Sequence, residues 1–537
     1  MPFSTGPVSA RFDHAETDRL ANHVPVGRVL VVALLGFIAL IGWSFASPVG
    51  ASPDDNFHMT SIWCAQGERP GLCENSDDPG QRVVLDEVVN SSVCFAFVPE
   101  HSGRCDTQPS GLVTTAHGNF EGLYPPIYYA TMSIFSSADV QTSVLIMRVF
   151  NSFLAVALAT GVYLLVDRRL RAPMLWGLLL TTIPTGIFLI ASVNPSGWAI
   201  VSAGTLWVAM AGYFRAPTWQ RRVALGGLAL VAALMGAGSR GDSAVYVAFG
   251  AVLAAIISFE RTRRYLLLLL LPLTAVAMGA AFYLGSNQVG SALEGEMAGV
   301  RPERVDIVSG LIRTIIDIPQ LWVGNFGVQA LGWGDTKMPA VVWFTTLVLC
   351  GAVAFWSLSR PRDVRANLVV ILAGVALVMV PSWVIVQNGV EVGTLVQPRY
   401  VLPLQVLMIG VLLFGAGDPR FETSRAQRWI IVIGLAGANA LALHTTMRRY
   451  LTGTDAPGFD LNQGVEWWWS NVPVSPDVIW VLGSAAFAAL LMVVAGVLSR
   501  TQTAPDHLSG KPTGDGDRAD LGETRTIRRS QPTPETP

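Results

Sequence analysis

What this chain has least of is charge. Only 14% of its 537 residues are Asp, Glu, Lys or Arg, against about a quarter in a soluble domain. Lysine is nearly missing, with Lys337 and Lys511 standing alone among 36 basic residues. So few charges cannot solvate a soluble surface of this size, and 51% hydrophobic residues with a mean hydropathy of +0.46 point the same way. A net charge of −2 leaves no basic excess to neutralise phosphates along a duplex, which excludes nucleic acid as a partner. Cysteine is scarce, five in all, and none of the Cys or His spacings of a zinc site occurs. Arg, Ala, Val and Gly take up the difference, a usage associated with GC-rich bacterial genomes.

Long apolar runs fill the chain. A bilayer core needs about 20 apolar residues per helix, because no water is there to satisfy free backbone groups. Twelve stretches qualify: 29–47, 142–166, 173–191, 195–214, 223–238, 243–258, 265–285, 339–358, 366–386, 400–415, 429–446 and 478–498. The expected fold is an all-α polytopic membrane protein of about twelve transmembrane helices, with the membrane domain spanning 29–498. Cytoplasmic loops retain arginine, and alternate connections carry it: Arg168, Arg169 and Arg171; Arg215, Arg221 and Arg222; Arg261, Arg263 and Arg264; Arg360, Arg362 and Arg365; Arg420, Arg425 and Arg428. Both termini are therefore expected in the cytoplasm. Residues 1–28 read as a polar lead that remains attached, and 499–537, rich in Pro, Gly, Ser and charge, as a disordered tail.

Three connections on the other side are long: 48–141, 286–338 and 450–477. The first far exceeds what a connection requires, and loops of that length are usually functional. It holds Cys64, Cys73, Cys94 and Cys105, an even number on the oxidising side, which argues for two disulfides. The smallest closures are Cys64 to Cys73 and Cys94 to Cys105; a metal site is the rival. Residues 305–318 look amphipathic, fit to lie on the membrane surface, and Trp467, Trp468 and Trp469 suit the headgroup layer.

Immediately after the first apolar stretch the chain reads Ser52-Pro53-Asp54-Asp55-Asn56-Phe57-His58. Two carboxylates at a membrane surface can supply a general base or bind a divalent cation; the alternative is that Asp54 caps a helix. Tyr124-Pro125-Pro126-Ile127-Tyr128-Tyr129, Asn194-Pro195, Ser239-Arg240-Gly241-Asp242 and Gln397-Pro398-Arg399-Tyr400 fall on the same side. Arg399 can grip a lipid phosphate through two parallel hydrogen bonds, or it can pair with Glu391 or Asp242. Polar groups near the bilayer are costly and mark function. No matching cluster stands out on the cytoplasmic side, and none at the midplane, where secondary transporters place coupling sites.

At these motifs, over about residues 30–447, the chain resembles the bacterial membrane proteins of domain-of-unknown-function family 2142, themselves similar to the GT-C class of glycosyltransferases. The family pattern more usually has Glu at position 55 and Pro at 56, where this chain has Asp55 and Asn56. The resemblance implies an enzyme of the bacterial plasma membrane that moves a sugar from a polyprenyl-phosphate donor to an envelope glycan or lipid acceptor outside the cytoplasm. Asp54 or Asp55 would be the base and Arg399 the phosphate partner, with Arg240 second in line. His58, Tyr124, Asn194, Asp242 and Tyr400 would contact substrate. The competing functions are a flippase of an envelope lipid intermediate and a structural assembly factor.

Overall fold

Each of the twelve apolar stretches is helical. In the computed structural model, which describes residues 26–104, 111–287, 307–359, 361–394, 396–415, 424–456, 458–469 and 472–500, the chain opens with α1 (Val26–Phe45) and the short α2 (Asp55–Cys64), α3 (Asp86–Asn90) and α4 (Ile127–Met132). Then come α5 (Val140–Leu165), α6 (Arg168–Thr181), α7 (Thr185–Ile190), α8 (Pro195–Arg215), α9 (Trp219–Ala237) and α10 (Gly241–Ile257). After α11 (Arg263–Leu268), α12 (Leu270–Leu284), α13 (Ile307–Asp317) and α14 (Pro319–Val323), the last helices are α15 (Ala340–Leu358), α16 (Val364–Asn388), α17 (Pro398–Leu413), α18 (Arg425–Thr452) and α19 (Pro476–Arg500).

Eight helices among the described residues are long and apolar enough to cross a membrane: α1, α5, α8, α11 with α12 as one unit, α15, α16, α18 and α19. The other four expected spans fall short of that measure for local reasons. Pro184, which has no amide to donate, separates α6 from α7; α10 and α17 are apolar but shorter; and α9 carries Arg221 and Arg222 in its first turn.

Helix α8 is the centre of the bundle. It is buried over nearly its whole length, packs against α9, α10 and α17, and carries no Asp, Glu, Lys, Arg or His between Asn194 and Arg215. Where other helices cross most closely, glycine lines the contact, as small residues do in membranes. A Cβ on Gly177 of α6 would lie 3.0 Å from the Gly410 Cα of α17, and one on Gly42 of α1 the same distance from the Gly483 Cα of α19.

The arginine-rich turns converge on one end. Arg221 donates to the Leu165 carbonyl and Arg365 to that of Phe259, Arg362 reaches the Leu412 carbonyl at 2.7 Å, and Arg215 sits 4.9 Å over the Phe414 ring. Arg360 and Arg420 lie outside the described residues. A polar cavity of about 960 Å³ opens here, lined by Arg215, Glu260, Arg264, Asp363 and Arg365. The expectation that this end lacks a polar cluster is therefore corrected: residues distant in sequence gather once α8, α10 and α16 pack.

At the opposite end the long loop folds on itself. Contrary to an all-helical reading, it contains a three-stranded antiparallel sheet of β1 (Cys73–Asn75), β2 (Arg82–Leu85) and β3 (Leu112–Thr115), with Glu74 opposite Val83 and Val83 opposite Thr114. Strands this short barely register in sequence, although the β-branched Val83-Val84 and Val113-Thr114-Thr115 favour them. Cys64 and Cys73 form the expected disulfide; the expected Cys94 to Cys105 pair involves Cys105, outside the described residues. Cys350 is free and buried. Helix α13 packs on α16 and leaves Val308, Ile312, Ile315 and Ile316 exposed, as a helix lying on a membrane surface requires. The tryptophan run behaves differently from an interfacial anchor. Trp468 and Trp469 are buried, and Trp469 donates to the Phe45 carbonyl at 3.1 Å, closing the end of α1.

Candidate functional site

The site begins with a turn. Pro53 restricts the backbone, and Asp54 next to it adopts the left-handed conformation, φ 59° and ψ 22°, which costs a residue with a Cβ about 1 kcal/mol and is tolerated best by Asp and Asn. Asn194 holds the turn in place. Its Oδ1 accepts from the Ser196 amide at 3.0 Å, capping α8, while its Nδ2 donates to Ser52 Oγ at 3.1 Å and to the Pro53 carbonyl at 2.9 Å.

This turn separates the two acids. Asp54 makes no capping bond to α2; its side chain is 43% exposed, and Oδ2 accepts from Arg399 Nη2 at 2.6 Å. Asp55 is fully buried and accepts from the Ser52 amide at 3.3 Å. Burial pushes its carboxyl up to about 7, against the pull of the buried Arg148 charge.

Arg399 enters from the first turn of α17. It is 8% exposed at its side chain. Nη2 also donates to the Tyr400 hydroxyl at 2.9 Å, and Nε and Nη1 make no hydrogen bond among the described residues. Neither alternative partner is used. Glu391 is exposed elsewhere, and Asp242 is bound by Arg240 through two bonds of 2.9 and 3.0 Å. Arg240 is fully engaged: its guanidinium lies 4.2 Å over the Tyr400 ring and 5.6 Å from Tyr124. Of the two arginines, Arg399 is the one with donors to spare.

His58 is buried, bonded through Nδ1 to the Tyr129 hydroxyl at 3.0 Å, with Tyr124 and Phe57 edge-on to it at 5.6 Å. Burial pulls its imidazole down to about 3, with the Asp54 charge opposing and Arg240 and Arg399 adding to the fall, so it is neutral at physiological pH. It is not among the residues that line the neighbouring cavity. Asp54 and Arg399, with Gln397 and Gln329, face a cavity of about 700 Å³ open to solvent, whose apolar side is Phe188 and Leu189. No group of three or more His, Cys, Asp or Glu able to hold a metal occurs among the described residues. The positive charge facing Asp54 is a guanidinium.

The sequence model of the predicted membrane protein family DUF2142 matches residues 37–408, more than half the chain and all the residues just described. The chain belongs to the DUF2142 family. No curated protein matches it with significance. The family assignment agrees with the apolar helices in making this DUF2142 protein a multi-pass membrane protein.

Sequence reasoning missed three supports of the DUF2142 site. Arg148, fully buried in α5, donates to the carbonyls of Ser44, Ser47 and Pro48 at 2.7–3.0 Å, satisfying one free carbonyl in the last turn of α1 and two in the segment that follows it. An arginine two turns into an apolar helix was its visible signal. Arg449 and Asp335 form a buried ion pair at 2.9 Å. They are 114 residues apart, and no local pattern links them.

Proposed function

We propose that this protein is a GT-C-like glycosyltransferase of the bacterial plasma membrane, with twelve spans, both termini cytoplasmic and the 48–141 loop outside. It moves a sugar from a polyprenyl-phosphate donor to an envelope glycan or lipid acceptor. One observation carries the reading: Asp54, half exposed on a strained turn, touches an arginine with unused donors at the mouth of a cavity. In the reaction an acceptor hydroxyl oxygen attacks the anomeric carbon, and its proton passes to Asp54. The bond from that carbon to the phosphate oxygen breaks, and its electron pair leaves with the lipid phosphate, whose charge Arg399 faces with Nε and Nη1. A positioned general base contributes about 10² to 10⁴ in rate, and a charge donor aimed at the leaving group acts where charge develops.

Asp54 is favoured over Asp55 because it alone reaches the cavity, and Arg399 over Arg240 because Arg240 is engaged by Asp242. The flippase reading draws support from the polar cavity at the arginine-rich end. Against it stands the charge-free stretch of α8 between the two ends, which offers a headgroup no charged stepping stone. The test is transfer from a radiolabelled polyprenyl-phosphate sugar in proteoliposomes. Asp54→Asn should lose about 10² to 10⁴ in rate while Asp55→Asn stays active; an active Asp54→Asn protein removes the base and leaves the flippase reading ahead.

A further inference from the structure

Among the described residues only two that are not glycine have positive φ: Asp54 and Phe97, the latter at 63°. Both border the same cavity. For a bulky residue this conformation is an outlier that persists only where the surroundings enforce it, and such strain gathers at functional sites. Phe97 gains no burial in return, being 71% exposed. Its ring meets Trp333 edge-to-face at 5.5 Å, and Trp333, on the tight turn closed by the Leu331 and Thr336 pairing, is fixed by an Nε1 bond to the Gly50 carbonyl at 2.8 Å.

A single buried residue locks both rings. Arg449 Nη2 donates to the carbonyls on either side of Phe97, those of Phe95 at 2.8 Å and Val98 at 3.1 Å, and to Asp335 Oδ2 at 2.9 Å, two residues from Trp333. The ion pair thus holds the exposed Phe97 and the half-buried Trp333 rigid at the cavity rim. Beneath it, Gln397 occupies the position before α17 without capping it, and neither it nor Gln329 uses its carboxamide in a hydrogen bond among the described residues, although both line the cavity. Rigid aromatic faces beside unused amide donors and acceptors suit a ligand with apolar C–H faces and a rim of hydroxyls.

We propose that Phe97 and Trp333 are a carbohydrate-stacking subsite that receives the acceptor glycan and presents its hydroxyl to Asp54. This rests on the glycosyl-transfer reading for the acceptor role, but glycan binding can be measured without turnover. The full-length protein in detergent is run in native gels containing polysaccharide extracted from the envelope of the cells that make it. Retardation of the wild type is expected, with Phe97→Ala at least tenfold weaker, Phe97→Trp retained and Asp54→Asn like wild type. An unretarded wild type, or a Phe97→Ala protein retarded as strongly as wild type, overturns the subsite. Phe97 is exposed, so its substitution spares the core; thermal melting of each variant verifies that the fold is intact. If Asp54→Asn still transfers sugar, the base assignment fails while the subsite stands on its retardation. If Asp54→Asn is inactive and Phe97→Ala binds normally, the subsite alone fails.

Discussion

Asp54 and Asp55 are neighbours of identical chemistry, and a left-handed turn sends one to the cavity and the other to the interior. Burial raises the Asp55 carboxyl from an ordinary value near 3.8 to about 7, so folding favours its protonated form. Below about pH 4 both folded and unfolded chains hold that proton, and the group has no effect on stability. As pH rises from about 4 to 7 the unfolded chain releases the proton while the folded chain retains it, so stability falls across that window, by up to about 4 kcal/mol, and levels off above it. Asp55→Asn removes this slope and keeps an oxygen for the Ser52 amide. The Asp55→Asn variant should therefore gain melting temperature over the wild type in detergent at pH 7.5 and much less at pH 4.5, a comparison in which the opposite slope of the buried, neutral His58 cancels. Arg399→Lys should cut transfer at least tenfold with little change in melting temperature, since an ammonium lacks the planar fork that presents separate donors to carboxylate and phosphate; unchanged turnover would reduce Arg399 to an ion-pair partner. Asp54, Arg399 and Asn194 were legible as polar residues in costly places. Which acid faces outward was not, because it depends on a single φ angle that sequence leaves open.

Among the elements, the crossing of α6 and α17 carries its own prediction. With a Cβ on Gly177 already 3.0 Å from the Gly410 backbone, Gly177→Val should force the helices apart and cost about 1–3 kcal/mol, seen as a lower melting temperature by fluorescence-detected size exclusion. Gly351→Val, where a Cβ meets nothing within 4 Å, serves as the control. Helices were the readable part of this chain, since apolar runs announce them directly. The three strands, of three or four residues each, are too short to show a period, and the burial of Trp468 and Trp469 depends on the ends of α1 and α5 arriving beside them.

For the molecule as a whole, arginines at one end and the folded loop at the other give a testable orientation. Asp77→Cys, on the exposed part of the long loop, should react with an impermeant maleimide in intact cells, and Arg261→Cys only after permeabilisation; the reverse pattern would invert the protein. The arginine-rich end could be foreseen from counts along the chain. The polar cavity within it could not, since its lining comes from three separate connections. The contact between Asp54 and Arg399 joins residues 345 positions apart, and that between Trp43 and Asn439 joins residues 396 apart. At about 5–20 residues per second on the ribosome, the acid emerges about 20 to 70 seconds before the arginine it meets. Until then the loop waits with its carboxylate unmatched and the Phe97 segment without Arg449. A nascent chain halted before α17 would carry Asp54, Tyr124, Asn194 and Arg240 and still have no site, so the site assembles only once α17 has been made.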